Sequence, residues 1–241
     1  MTKNKNVTSS SSPADAGAEF LGKARALSAI APASGPAQAR LIFAMDATAS
    51  RQPSWDRAAD IQAGMFDAVA RLGTLDIQLV YFRGFDECKA SNWCRDAVML
   101  RDRMTAVDCR AGHTQLGRVL EHVIRQHQKK PVNALIYVGD CLEEEADHLG
   151  NQAGQLGLTG VRAFMFHEGS DLKAAQVFRN IARVTGGAFA RFDSSAPDRL
   201  KELLGAIAAF AMGGFDELTR YEAHQGSPEL RLLTDQLRRD R

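Results

Sequence analysis

The sequence predicts a doubly wound α/β fold: a mostly parallel sheet with one antiparallel edge strand and helices on both faces. Two observations lead to this fold class. Short apolar runs without alternation, such as residues 41–45 (LIFAM), are typical of strands that are buried on both faces. Segments with helical spacing separate these runs, and the regular alternation of strand and helix favours parallel strands joined by helical crossovers.

The elements follow in order from these patterns. Pro53 suits the start of a first helix, and Gly186 with Gly187 closes a later one. A turn at residues 83–86 predicts a hairpin to an edge strand. The predicted strands are 41–45, 77–82, 89–93, 134–138, 161–166 and 188–192, and the predicted helices cover 53–72, 96–107, 116–128, 172–184 and 200–212.

Three regions are predicted along the chain. Residues 1–39 are polar or small, which predicts an extension that is disordered or partly helical. Residues 40–212 form the main domain. Residues 213–241 are a mostly polar tail in which Leu230, Leu232, Leu233 and Leu237 have the spacing of a short docking helix.

Composition excludes several classes of partner. The chain has 241 residues with 30 basic and 29 acidic side chains, so its net charge of +1 disfavours binding to nucleic acid or anionic lipid. No apolar run reaches the roughly 20 residues of a membrane span, and the amino terminus lacks the apolar segment of a secretory signal. We therefore expect a cytoplasmic protein, and the four cysteines do not indicate a disulfide framework. The oligomeric state stays open.

A dense set of oxygen-bearing side chains follows the first strand. Asp46, Thr48 and Ser50 alternate in the segment DATAS, directly after the apolar run. Ligands of open α/β folds bind at the carboxyl ends of the strands, where this segment is expected to lie. Hard oxygen donors that converge on one point are the ligands that Mg²⁺ prefers.

Two further residues extend the pattern. Thr114 precedes a mid-domain helix, and Asp140 follows the buried strand 134–138. In this order, Asp46-x-Thr48-x-Ser50, Thr114 and Asp140 resemble the metal-ion-dependent adhesion site (MIDAS) of von Willebrand factor A (vWA) domains, which have a Rossmann-like fold. This chain has Thr48 where the family usually has serine. It also has Gly139-Asp140-Cys141 where members often show Thr-Asp-Gly.

The resemblance implies roles for these five residues. Thr48, Ser50 and Thr114 would touch the cation through their hydroxyls, and Asp46 and Asp140 would hold it through water. The implied cation is Mg²⁺, or Mn²⁺ or Ca²⁺, and the implied function is non-enzymatic recognition of a protein partner that presents an Asp or Glu carboxylate. Because few anionic ligands hold the cation, it keeps its affinity for that carboxylate.

Alternative interpretations stand beside this one. Asp46 also fits the nucleophile of a haloacid-dehalogenase-like phosphatase, with Lys129 or Lys130 as its lysine, although Thr48 replaces the expected second aspartate. The polar residues at the strand ends also suit helix caps in a scaffold domain without metal. Arg51 is expected at the rim of the site, and the acidic run 143–147 is expected to open a solvated helix.

Overall fold

The computed structural model describes residues 37–192 and 197–239, which form a six-stranded sheet in the order β3-β2-β1-β4-β5-β6. All neighbouring strands are parallel except β3, which pairs antiparallel with β2 at one edge. This arrangement confirms the predicted fold class. The strands are β1 (Ala37–Asp46), β2 (Gly73–Arg83), β3 (Glu87–Ala90), β4 (Ala134–Gly139), β5 (Arg162–Glu168) and β6 (Ala188–Phe192).

Helices cover both faces of this sheet. Leu41, Phe43 and Met45 of β1 belong to one apolar core cluster, and Ile42 and Ala44 belong to the other. Successive side chains of a strand point to opposite faces, which explains why the run is apolar without alternation. The helices on the first face are α1 (Gln52–Ile61), α2 (Ala63–Val69), α3 (Ala97–Thr105), α7 (Pro197–Gln225) and α8 (Pro228–Arg239). Those on the second face are α4 (Leu116–Lys129), α5 (Ala146–Leu158) and α6 (Leu172–Val184).

The strand register determines what lies at the edge of the sheet. Asp46, the last residue of β1, is opposite Phe82 of β2. On its other side, Met45 is opposite Val138 of β4, so β1 and β4 end at the same level. Parallel neighbours end at one edge, so the register brings Asp46 close to Asp140, which follows β4 directly.

The edge strand β3 differs slightly from its prediction. It spans Glu87–Ala90 rather than residues 89–93, and Cys94 forms an isolated antiparallel bridge with Ile77 beyond its end. Between the two, the N–H of Ser91 still donates to the carbonyl of Leu79. The pairing is therefore interrupted, because Asn92 and Trp93 leave the ladder before it resumes.

The carboxyl-terminal helices complete the first face. Helix α7 is kinked at Gly213 and Gly214, and the latter has φ +66°, which favours glycine. In α8, Leu230, Leu233 and Leu237 are buried in the first core cluster, whereas Leu232 is 65% exposed. The folded unit therefore continues past residue 212.

Two expectations concern the chain outside these elements. The predicted disordered or partly helical extension lies, up to residue 36, outside the described residues. None of the helices within 37–192 and 197–239 combines the length and apolarity that a bilayer crossing requires.

Candidate metal centre

Asp46 is the central side chain of the candidate site. It ends β1, and none of its surface is exposed to solvent. Its Oδ1 atom accepts a hydrogen bond of 2.7 Å from the backbone N–H of Thr48. This short-range bond closes the turn after the strand, as an aspartate at a turn commonly does. The turn therefore fixes the carboxylate within the sheet edge.

Thr48 and Ser50 lie on that turn. Thr48 is almost fully buried. A short 3₁₀ helix, Ala49–Arg51, follows and exposes Ser50. The Ser50 hydroxyl donates over 3.5 Å to Oδ2 of Asp140, which is a long hydrogen bond. The structure thus brings four of the five predicted residues, Asp46, Thr48, Ser50 and Asp140, into one connected group.

Two carboxylate oxygens in this group lack hydrogen-bond partners among the described residues. They are Oδ2 of Asp46 and Oδ1 of Asp140, and both atoms are buried. A buried carboxylate oxygen without a partner is costly, because it loses its hydration without compensation. One oxygen from each aspartate and the sulfur of Cys141 lie within 4.8 Å of one another. A divalent cation between these atoms would supply the missing interactions, so the residues fit a metal ion.

The electrostatics of Asp46 agree with this fit. Burial raises the pKa of its carboxyl from an ordinary value of 3.8 to about 6, and the nearby Asp140 adds to the rise. The hydrogen bonds from Thr48 and the charge of Arg51 act in the opposite direction and only partly compensate. Two carboxylates in a poorly solvated place repel each other, and a bound cation would relieve that repulsion.

Thr114, the fifth predicted residue, bonds to the loop that follows β4. Its hydroxyl accepts a hydrogen bond of 3.1 Å from the N–H of Glu143, and its own N–H donates over 2.9 Å to Oε2 of Glu143. No hydrogen bond within the described residues joins Thr114 to the remaining four. Glu143 is three positions after Asp140. Thr114 is therefore held against the loop that Asp140 begins.

The acidic run after β4 opens α5 with its second half, as predicted, since Glu145 is the cap residue of α5 and Asp147 lies in its exposed first turn. Glu144 has a different role. Glu144 does not open α5, which begins at Ala146; its carboxylate accepts hydrogen bonds from the N–H groups of Leu116 and Gly117, at 2.6 and 2.9 Å. It therefore caps α4, whose own cap residue Gln115 makes no side-chain cap bond. For Glu144 the prediction was wrong because these partners lie 27 and 28 positions away along the chain.

Arg51 is a second correction. We expected it at the rim, but it is 2% exposed and forms an ion pair with Glu168 at the end of β5. The hydroxyl of Ser54 donates to the same carboxylate over 2.6 and 2.8 Å. The buried guanidinium of Arg51 favours the ionised form of Asp46, because its positive charge lowers the pKa of that carboxyl.

Cys141 is a residue of the site that sequence reasoning missed as a donor. Its thiol is half-buried and belongs to the close group with Asp46 and Asp140. Burial raises the pKa of this thiol, and the neighbouring carboxylates, first Asp140, add to the effect. Its position directly after Asp140 was the available signal, since adjacent residues share one loop.

The lysines of the phosphatase alternative are far from Asp46. The ammonium of Lys130 donates to Oε1 of Gln38, near the beginning of β1. Gln38 and Asp46 are eight positions apart, which is about 26 Å along a strand. Lys129 ends the same helix and lies at that same end of the sheet. Neither lysine can therefore contact a phosphoryl group on Asp46.

No family model matches the sequence, and no curated protein matches it. Similar solved structures include a von Willebrand factor type A protein from Catenulispora acidiphila, with a TM-score of 0.58 at 16% identity. The VWA domain of SpRpn10 has a TM-score of 0.52 at 13% identity. Proximal thread matrix protein 1 from the mussel byssus, with a zinc-occupied MIDAS motif, has a TM-score of 0.56 at 17% identity.

The alignments cover most of this chain. They include 73% of it for the Catenulispora protein, 67% for SpRpn10 and 72% for the mussel protein. The chain spans 94% of the SpRpn10 domain, but only 43% of the Catenulispora chain and 46% of the mussel chain. Together with the strand order and the antiparallel edge strand, these similarities show that the chain has the fold of a von Willebrand factor A domain.

Proposed function

We propose that this chain is a non-enzymatic, cytoplasmic module that binds a divalent cation and, through it, a protein partner presenting an Asp or Glu carboxylate. The proposed ligands are Asp46, Thr48, Ser50, Thr114 and Asp140. With oxygen donors alone, the expected cation is Mg²⁺ or Mn²⁺.

One observation carries the proposal. Asp46 and Asp140 end neighbouring strands, each has a buried oxygen without a hydrogen-bond partner among the described residues, and these carboxylates lie close together. The capping aspartates Asp96 and Asp171 also accept through one oxygen only, but among the described residues neither has a buried oxygen without a partner. The mussel protein, a similar structure with a zinc-occupied MIDAS motif, supports a metal site in such a fold.

The residues around the site suit recognition rather than catalysis. Asp46 and Thr48 are buried and held by the turn, so they present donors in fixed positions. Ser50 is exposed at the rim, where an incoming group can approach. When bound, a divalent cation that is held by few anions supplies affinity for one more carboxylate. The buried ion pair with Glu168 holds Arg51, the last residue of the 3₁₀ helix that follows Thr48.

The proposal is tested by calorimetry and by partner capture. Calorimetric titration with Mg²⁺, Mn²⁺ and Zn²⁺ should give heat of binding for the wild-type chain, and none for Asp46→Ala. Partner capture from source lysate should be lost in EDTA and in Asp46→Ala, and restored to the wild-type chain when the cation is returned. Asp67→Ala, at an exposed position of α2, is the matched control and should behave as wild type.

Two results would contradict the proposal. Capture of the same partner regardless of EDTA and of Asp46→Ala, without heat from any cation, would indicate a scaffold domain without metal. Hydrolysis of p-nitrophenyl phosphate that is lost in Asp46→Asn would contradict the non-enzymatic part.

A further inference from the structure

Cys141 gives the candidate site a sulfur donor. Its Sγ lies within 4.8 Å of one oxygen of Asp46 and one of Asp140, and those two oxygens also lie within 4.8 Å of each other. Among residues 37–192 and 197–239, no other three His, Cys, Asp or Glu side chains offer such a group. Cys141 is half-buried, so solvent still reaches it.

A second observation indicates a ligand at the same place. Asp46 has no exposed surface, and its Oδ2 has no hydrogen-bond partner in the described part of the chain. The thiol makes a long contact of 3.9 Å with Oε1 of Glu143, and it also interacts with the neighbouring Asp140, another donor of the group. All three donors therefore remain available to an ion, and no strong internal bond has to be broken before one binds.

The donor spacing suits a small ion with few ligands. Zinc binds oxygen at about 2.0–2.2 Å and sulfur at about 2.3 Å, so neighbouring donors of a tetrahedral zinc ion lie roughly 3.5 Å apart. Donors within 4.8 Å of one another reach this spacing with small side-chain rotations. Three protein donors leave the fourth position for another group.

Sulfur changes which cation the site prefers. Magnesium selects oxygen ligands, whereas thiolate favours zinc and similar thiophilic ions. We infer that this site binds Zn²⁺ in preference to Mg²⁺, with Cys141, Asp46 and Asp140 as donors and the fourth position open to the partner carboxylate. The inference rests on the proposed function, names its cation, and replaces the five oxygen ligands proposed above with these three donors. As the sulfur–metal bond forms, the thiol proton passes to the solvent, and no electron is transferred.

The test uses Cd²⁺ as a spectroscopic probe, because its bond to thiolate gives an ultraviolet charge-transfer band. The full chain, reduced and freed of metal, is titrated with Cd²⁺ and separately with Zn²⁺ and Mg²⁺. Cys141→Ser keeps the size of the side chain and replaces sulfur by oxygen. Cys88→Ser is the matched control, since Cys88 is also half-buried but lies on the edge strand β3.

We expect the band in the wild-type chain and in Cys88→Ser, and its loss in Cys141→Ser. The Zn²⁺ affinity of Cys141→Ser should fall by at least about 10–100-fold, the range found when even an outer partner of a metal site is lost. Its Mg²⁺ affinity should not fall. Circular dichroism of each variant checks that the fold is kept.

The possible failures differ from one another. A band that persists in Cys141→Ser, or a wild-type chain that prefers Mg²⁺, would overturn the inference and leave the proposed function intact. If no cation of either class binds the wild-type chain, both fail.

Discussion

The buried position of Asp46 disfavours the ionised form of its carboxyl, and this lowers the stability of the folded protein. Its folded-state pKa of about 6 lies above its ordinary value of 3.8. The folded state therefore binds a proton more tightly than the unfolded state, and the metal-free protein loses stability as the pH rises from about 4 to about 6. Above that range the cost is on the order of 1–3 kcal/mol, at 1.36 kcal/mol for each pKa unit.

We therefore predict that Asp46→Asn stabilises the metal-free protein at pH 8 by about 1–3 kcal/mol, because the amide keeps an acceptor for the Thr48 N–H without the charge. Urea unfolding in EDTA at pH 8 and at pH 4 measures this difference, which should vanish at the lower pH. Asp67→Asn, on the exposed side of α2, should change neither value. A destabilised Asp46→Asn at pH 8 would contradict the buried-charge explanation.

Arg51 and Glu168 form a buried pair, and removing one partner should be costly. Their side chains are 3% and 14% exposed, so Glu168→Ala leaves the guanidinium buried without that carboxylate. We expect a loss of about 3–5 kcal/mol in the free energy of unfolding, measured by urea denaturation. Asp60→Ala is the comparison, because its pair with Arg101 is more than half exposed and should change stability by less than about 1 kcal/mol. Equal effects would show that burial is unimportant here.

At the scale of elements, the acidic loop after β4 joins two parts of the site. Glu144 caps α4 and Glu143 bonds to Thr114, so this loop fixes the start of α4 against the residues that follow Asp140. We predict that Glu144→Ala lowers stability by about 1–2 kcal/mol and weakens cation binding, because the start of α4 loosens. Thermal unfolding and calorimetry measure the two effects. The neighbouring Glu145→Ala, whose side chain makes no cap bond, should do neither.

The sequence predicted those features that depend on local pattern. The apolar run of β1 stops at Asp46, and that break predicted the strand end and the first ligand loop. In the same way, the end of the apolar run of β4 predicted that Asp140 lies at the carboxyl end of that strand. The predictions for Arg51 and Glu144 were wrong because the partners of these residues are remote in sequence. Glu168, for example, is 117 positions from Arg51. A charged residue near a loop has the same sequence pattern whether it is exposed or buried in an ion pair. Contacts between residues so far apart in sequence cannot be predicted from the spacing of residues along the chain.

At the scale of the whole molecule, the two edge strands of the sheet are protected from further pairing in different ways. At β6, the side-chain amide of Gln236 accepts from the N–H of Phe189 over 2.9 Å and donates to its carbonyl over 3.0 Å. A single amide of α8 thus replaces a neighbouring strand at that position and covers part of the edge. The opposite edge is β3, only four residues long, which also limits pairing with other chains.

Helix α8 is therefore part of the folded domain, and its apolar face should contribute to global stability. We predict that Leu233→Ala, at a position 2% exposed, lowers the free energy of unfolding by about 2–5 kcal/mol, because it removes core packing and leaves a cavity. Leu232→Ala, the adjacent residue at 65% exposure, should change it by no more than about 0.5 kcal/mol. Urea unfolding of the two variants separates these cases. A Leu233→Ala variant as stable as Leu232→Ala would mean that α8 is a detachable tail, and that the domain ends near residue 212, as the composition alone suggests.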